Sequence, residues 1–216
     1  MQKEVNPLPY MVVNGEGVVT AEPNSAVIEL GVQTENKNVA AAQQENAETM
    51  HQILQSLLTY GVGEGAIQTS QYTVSPKYDF IDGEQVLKGY QVNHLIRITV
   101  GQVENTGVII DSAVSNGANQ VAGITFTARD LETYEQQALS GAMDDALVKA
   151  RTLASNMQVN MNPVPIKIIE TTSASGSITP MYFKTQAAAS STPLMPGQLE
   201  IRAALEVQFE YGKRRE

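Results

Sequence analysis

A chain of 216 residues with a formal net charge of −9 and no cysteine has room for one sizeable core or a pair of small packed subdomains. The charge argues against a non-specific nucleic-acid binder, because affinity for phosphate comes from Lys and Arg. The missing cysteines exclude a disulfide framework, a thiolate metal site and a cysteine nucleophile.

No apolar run approaches the ~20 residues of a membrane-spanning helix, so no transmembrane segment is expected. Residues 1–9 lack the apolar centre of a secretory signal. The expected location is therefore cytoplasmic, or periplasmic or otherwise extracytoplasmic if a signal has been removed.

In chain order, Val13, Gly15, Gly17 and Val19 share one parity, and Asn14, Glu16 and Thr20 the other, which describes a strand with one covered face. Glu22-Pro23-Asn24-Ser25 supplies turn chemistry before Ala26, Ile28, Leu30 and Val32 resume the alternation, so a β-hairpin is expected over Val12–Val32. Gly15-Glu16-Gly17 is not a phosphate loop, which would lead into a helix; a bulge or a close backbone approach is expected instead.

Val39, Ala42, Asn46, Met50, Ile53, Leu54, Leu57 and Leu58 mark one helical face, with Asn38 as N-cap and Gly61 just past the end. Ile67, Thr69, Tyr72 and Val74 form a strand that reaches Tyr78, interrupted near Pro76. Asp82-Gly83 turns it into a return strand carrying Val86, Tyr90, Val92, Ile96, Ile98 and Val100. A shorter helix is expected over Glu104–Asn116, and a strand over Asn119–Thr127.

The longest helix opens at Asp130 or Thr133, with a stripe of Leu131, Tyr134, Ala138, Ala142, Ala146, Ala150, Leu153 and Met157. Its alanines permit close approach to the sheet, or to a second helix between protomers. Strands follow at Ile166–Glu170 and Leu199–Phe209. Between them, Thr171 to Gly197 is a long low-complexity arm with the isolated apolar clusters Met181-Tyr182-Phe183 and Leu194-Met195, the candidate interaction residues.

The opening Val12–Gly31 stretch resembles that of the SIMPL-domain family, and the resemblance runs from about Met11 to Tyr211. It includes Gly61-Val62 leading into Ile67-Gln68-Thr69-Ser70, and Val74-Ser75-Pro76-Lys77-Tyr78 followed by Gly89-Tyr90. Gly117-Ala118-Asn119-Gln120-Val121 with Gly123-Ile124-Thr125-Phe126, the Ala146, Lys149-Ala150 and Leu153-Ala154 pattern, and Pro196-Gly197-Gln198-Leu199-Glu200-Ile201 complete it. The resemblance implies an α+β fold of helix-backed, mainly antiparallel sheets, built as one SIMPL-type domain or as two intimately packed α/β subdomains. It further implies a tendency to oligomerise and a role in cell-envelope or oxidative-stress biology. Bacterial relatives are often periplasmic or outer-membrane-associated, and animal relatives are signalling adaptors. No catalytic residues come with the family. The chain departs from it in showing no export signal and in placing His94 where relatives tend to have a small polar residue.

The residues themselves offer little catalytic chemistry. His51 and His94 are the two histidines, and neither has a ligating neighbour at i+2 or i+4, so no metal and no cofactor is expected. His94 shares parity with Tyr90, Val92, Ile96 and Ile98 and reads as a partly buried core histidine. Asp145 and Lys149 read as a surface i,i+4 pair, with Asp144 on a solvated face. Tyr72, Tyr78, Tyr90 and Phe80 read as cross-strand pairs rather than a binding platform. No Gly-x-Ser-x-Gly elbow occurs.

The domain is expected over 10–211, with the 171–197 arm inside it and terminal extensions at 1–9 and 212–216. The expected function is non-enzymatic: a homo-oligomer acting through protein–protein contacts, with the arm and the strand edges as contact elements. The alternative is a small-molecule or lipid-binding module with a cleft between helices and sheet.

Overall fold

Alternation becomes strand and the 3.6-residue stripe becomes helix nearly everywhere that one face of the chain finds a cover. The computed structural model describes residues 9–81, 83–172, 177–179 and 192–213. Its elements run β1 (Tyr10–Ala21), β2 (Ser25–Asn36), α1 (Val39–Thr59), β3 (Ile67–Ile81), β4 (Glu84–Val100), α2 (Thr106–Ser115), β5 (Gln120–Thr127), α3 (Leu131–Asn156), β6 (Val159–Met161), β7 (Lys167–Thr172), β8 (Ser177–Thr179) and β9 (Gln198–Lys213). The class is α+β, with helices backing antiparallel sheets. The chain divides into two compact units, one from the described residues of 1–22, 130–181 and 197–216, the other from those of 23–129 and 182–196.

The first unit is organised by β9, whose Leu199, Ile201, Ala203, Leu205, Val207 and Phe209 are buried along one face. On one side β9 pairs with β1 from Tyr10↔Glu210 to Ala21↔Leu199. On the other, β8, β7 and β6 pair with successive lengths of it.

Helix α3 covers the buried face with Ala138, Ala142, Ala146, Ala150 and Ala154. The stripe thus ends in Ala154, while Leu153 and Met157 are exposed. Alanine buries little area, so the helix holds by dispersion at short range, which requires its backbone to come very close to the strand. Gly15 and Gly17 provide that room: a Cβ at Gly15 would lie 2.0 Å from the Ala142 carbonyl oxygen, and one at Gly17 would lie 1.9 Å from that of Ala138. The close backbone approach expected at Gly15-Glu16-Gly17 is therefore made against α3, and the partner of the alanine stripe is the sheet.

In the second unit the sheet order is β3-β4-β2-β5. Ile28, Leu30, Val32, Ile96 and Ile98 meet Met50, Ile53 and Leu57 of α1 and Ile109 and Ala113 of α2 in the core. Each of these buried side chains larger than alanine contributes roughly 1.5–3 kcal/mol. Asn38 caps α1, its Oδ1 accepting the amides of Ala40 and Ala41 at 2.8 and 3.3 Å. Asn46, buried in the same stripe, donates to the Val32 carbonyl at 3.0 Å and ties helix to sheet.

The structure departs from expectation in three further respects. The Val12–Val32 segment is not a hairpin: β1 pairs with β9, whereas β2 pairs with β4 and β5, and the connection passes from one sheet to the other. Asn24 shows why, since its N–H donates to the Thr127 carbonyl and its side chain accepts the Arg129 amide, which ties the turn to the end of β5. The helix expected from Glu104 begins as a 3₁₀ turn at Val103–Asn105, with α2 following. The 171–197 segment is partly strand, because β7 extends to Thr172 and β8 lies within it.

Candidate functional site

Helix α1 packs on β2 and β4, while β3 lies outermost in the sheet. The flank of the helix and the start of β3 therefore diverge, leaving a cleft of about 400 Å³. Met50 and Leu54 line it from α1, and Ile67 and Ile96 from the sheet. Leu58 extends the apolar wall, and His51, Gln55, Glu64, Thr69 and His94 add polar groups.

Both histidines of the chain thus line one cleft, one from α1 and the other from β4. His94 is half-buried, with the Thr69 hydroxyl 3.4 Å from its Nε2 and the Tyr72 ring perpendicular to it at a centroid distance of 5.1 Å. Burial pushes its imidazole pKa below the ordinary value. Spacing rules within one element could not have paired these residues; the only sequence signal was the core parity of His94. Among the described residues, no group of three His, Cys, Asp or Glu side chains is arranged to hold a metal ion.

A second feature is the outer half of the β3–β4 ladder. Pairing of β4 with β2 ends at Asn36↔Tyr90, but pairing with β3 continues from Lys77↔Gly89 to Ile81↔Glu84. Gly83, at φ +87°, lies in the connecting loop, where the left-handed conformation suits glycine. The Lys77–Glu35 ion pair at 2.6 Å secures the base of this arm, and Lys88–Asp79 at 2.7 Å bridges its strands. The hydrogen bond from Lys77 pulls the Glu35 pKa down, and Asp79 pushes that of Lys88 up. Tyr78, Phe80, Ile81, Val86 and Leu87 are all exposed on the arm, Phe80 at 77%. Tyr72 packs on His94 instead, and Tyr78, Phe80 and Tyr90 make no ring contact with one another.

In the other unit, Asp145 and Lys149 do more than the expected surface pair. Their 2.7 Å ion pair sits at the edge of β1 that carries no strand among the described residues: Asp145 accepts the Glu16 amide at 2.9 Å, and Lys149 donates to the Asn14 carbonyl at 2.9 Å. The Lys149 hydrogen bond, followed by that of Glu16, holds the Asp145 carboxyl below the usual range. An edge that would otherwise invite another strand is covered at its centre.

Of the candidate interaction residues, Met181, Tyr182 and Phe183 lie outside the described residues. Leu194 packs against the core of its own unit, while Met195 is 59% exposed. Thr192 secures this segment to α2, its amide and hydroxyl both donating to the Asp111 carboxylate, the amide at 2.8 Å.

The model of the family SIMPL, described as protein of unknown function (DUF541), matches residues 11–209. The 26 kDa periplasmic immunogenic protein of Brucella melitensis is 28% identical over 211 residues, covering 92% of this chain and 83% of the relative. Uncharacterized protein YggE of Escherichia coli is 26% identical over 156 residues, which cover 72% of this chain and 63% of YggE. The YggE of Edwardsiella ictaluri is 25% identical over 162 residues, covering 74% of this chain and 68% of the relative. No helix among the described residues is long and apolar enough to cross a membrane.

Proposed function

The chain belongs to the SIMPL family, and on that premise we propose that it is a non-enzymatic protein that self-assembles and acts through protein–protein contacts in the cell envelope. The observation that carries this reading is the β3–β4 arm, which extends past the end of β2 with Tyr78, Phe80, Ile81, Val86 and Leu87 exposed. Aromatic and aliphatic anchors of this kind dominate interfaces, and ladder hydrogen bonds hold them in place at little entropic cost. A second copy is the occupant, because homo-oligomers are the commonest soluble assemblies. Met181, Tyr182 and Phe183 are proposed as a further contact element within a domain spanning 10–211. The location is extracytoplasmic, on the strength of the name of the Brucella relative; the cytoplasmic expectation has no support from the relatives.

Light scattering tests the reading. The parent protein is expected to run as a discrete assembly, and Phe80→Ser with Ile81→Ser and Leu87→Ser should shift it to smaller species with unchanged circular dichroism. A monomeric parent, or an assembly indifferent to these changes, refutes it.

The cleft between α1 and the β3–β4 ladder favours a second reading, small-molecule binding, since its volume and mixed lining suit a compact ligand.

A further inference from the structure

We propose that the cleft between α1 and the β3–β4 ladder binds a compact apolar molecule carrying a protonated amine. This rests on the second reading above and adds the chemistry of the ligand.

The apolar part of the argument comes from the walls. Met50, Leu54, Ile67 and Ile96 surround a space of about 400 Å³, within the ~300–1,000 Å³ of small-ligand sites. Met50 and Ile96 are buried while Leu54 and Ile67 are half-buried, so an alkyl chain or ring would cover surface that is now partly wet. Each methylene placed there strengthens binding roughly fourfold.

The polar groups set the sign of the head group. The lining holds no Lys or Arg, and its one carboxylate, Glu64, is exposed at the cleft. A carboxylate only accepts hydrogen bonds, and a neutral imidazole keeps one ring nitrogen as an acceptor. Half-burial disfavours the charged form of His94, so that ring stays neutral at pH 7. The imidazoles, Gln55 and Thr69 can donate as well as accept, so the charge of the site is set by Glu64 and by the absence of Lys and Arg from the lining. An anionic head group would face Glu64 and the chain's net charge of −9 with no cation in the lining to offset them. A hydroxyl would be tolerated. An ammonium donates three hydrogen bonds and is attracted by Glu64; since that carboxylate is exposed, the gain over a hydroxyl is modest, roughly three- to fivefold.

The test titrates the full chain at pH 7 and about 0.15 M salt, which screens the distant charges, with 1-octylamine, 1-octanol and octanoate, each below its critical micelle concentration. Calorimetry gives the affinities, and NMR follows the C–H resonances of the imidazoles of His51 and His94, both of which belong to the lining. Octylamine is expected to move both resonances and to bind roughly three- to fivefold more tightly than octanol, with octanoate weakest. Hexylamine, two methylenes shorter, should bind weaker by roughly an order of magnitude. Glu64→Gln should bring octylamine down to the affinity of octanol and leave octanol unaltered. If the parent protein binds the three head groups equally, or the amine preference survives Glu64→Gln, the amine assignment is overturned while the binding cleft stands. If none of the probes binds, or binding leaves both imidazole resonances in place, the cleft reading falls with it.

Discussion

The backbone of α3 lies so close to β1 that a Cβ added to Gly17 would sit 1.9 Å from the Ala138 carbonyl oxygen. Neither atom belongs to a flexible side chain, so relief requires helix and strand to separate, and the dispersion of the whole alanine stripe weakens as they do. Gly17→Ala is therefore expected to cost about 2–3 kcal/mol, at the upper end of overpacking effects. Gly63→Ala, at an extended φ of −70° with nothing within 4 Å of the new methyl, is the neutral control. Urea unfolding of both variants checks this, and equal midpoints would show that the strand yields freely.

The Asp145–Lys149 pair predicts a pH-dependent contribution from β1. The Asp145 carboxyl is held below its ordinary value of 3.8 by Lys149 and by the Glu16 amide. A carboxyl whose pKa is lower folded than unfolded contributes stability that is fully present above about pH 4 and lost as the pH falls through its folded pKa. Asp145→Asn should cost about 1 kcal/mol at pH 7, the scale of a charged hydrogen bond in a partly exposed site. The difference from the parent should shrink as the pH falls below 3.8 and vanish once Asp145 is protonated in the folded protein as well. A difference that persisted in acid would assign the loss to packing.

The readable parts of this chain were those decided by a single covered face. Leu199 to Phe209 and the Ala42, Asn46, Met50, Ile53 and Leu57 stripe are buried as their spacing requires, because burial on one face depends only on period. Which neighbour covers that face is a long-range matter. Glu22-Pro23-Asn24-Ser25 has the residues of a hairpin turn, yet Asn24 bonds to Thr127 and Arg129, and β1 takes β9 as its partner. The candidate site shows the same division. Asp145 and Lys149 were legible as a pair, but their role at Asn14 and Glu16 was not. His51 and His94 meet only because α1 lies across β4 while β3 stands outside it, an arrangement that local spacing does not encode.

Leu194 and Met195, adjacent in sequence, should respond differently to truncation. Leu194 is partly buried against the core built from Ile28, Ile53, Ile98 and Ile109, and Thr192 is fastened to Asp111 beside it. Leu194→Ala is expected to cost about 1–2 kcal/mol, less than a fully buried leucine because its site can refill with water. Met195→Ala, at an exposed position, should stay within about 0.5 kcal/mol. Thermal unfolding distinguishes them; a silent Leu194→Ala would mean that the segment from 192 to 196 does not dock in solution.

His94 gives the last prediction, because its half-buried ring couples the cleft to acidity. Burial lowers its pKa below the ordinary 6.5, so the unfolded chain takes up a proton before the folded chain does. The linkage then has a definite sign: stability holds above about pH 6.5, declines as the pH falls from there through the folded pKa, and levels off below it. Thr69 and Tyr72 offer a neutral hydroxyl and a T-shaped ring contact, and Glu64 is the carboxylate that shares the cleft. In His94→Asn this component is missing, while the amide keeps a donor and an acceptor for Thr69. From pH 8 to pH 5 the urea midpoint of the parent should therefore fall relative to that of the variant, and the light-scattering mass should be the same for both. A gap between the midpoints that is constant over that range would mean that the ring protonates as freely in the folded protein as in the unfolded chain.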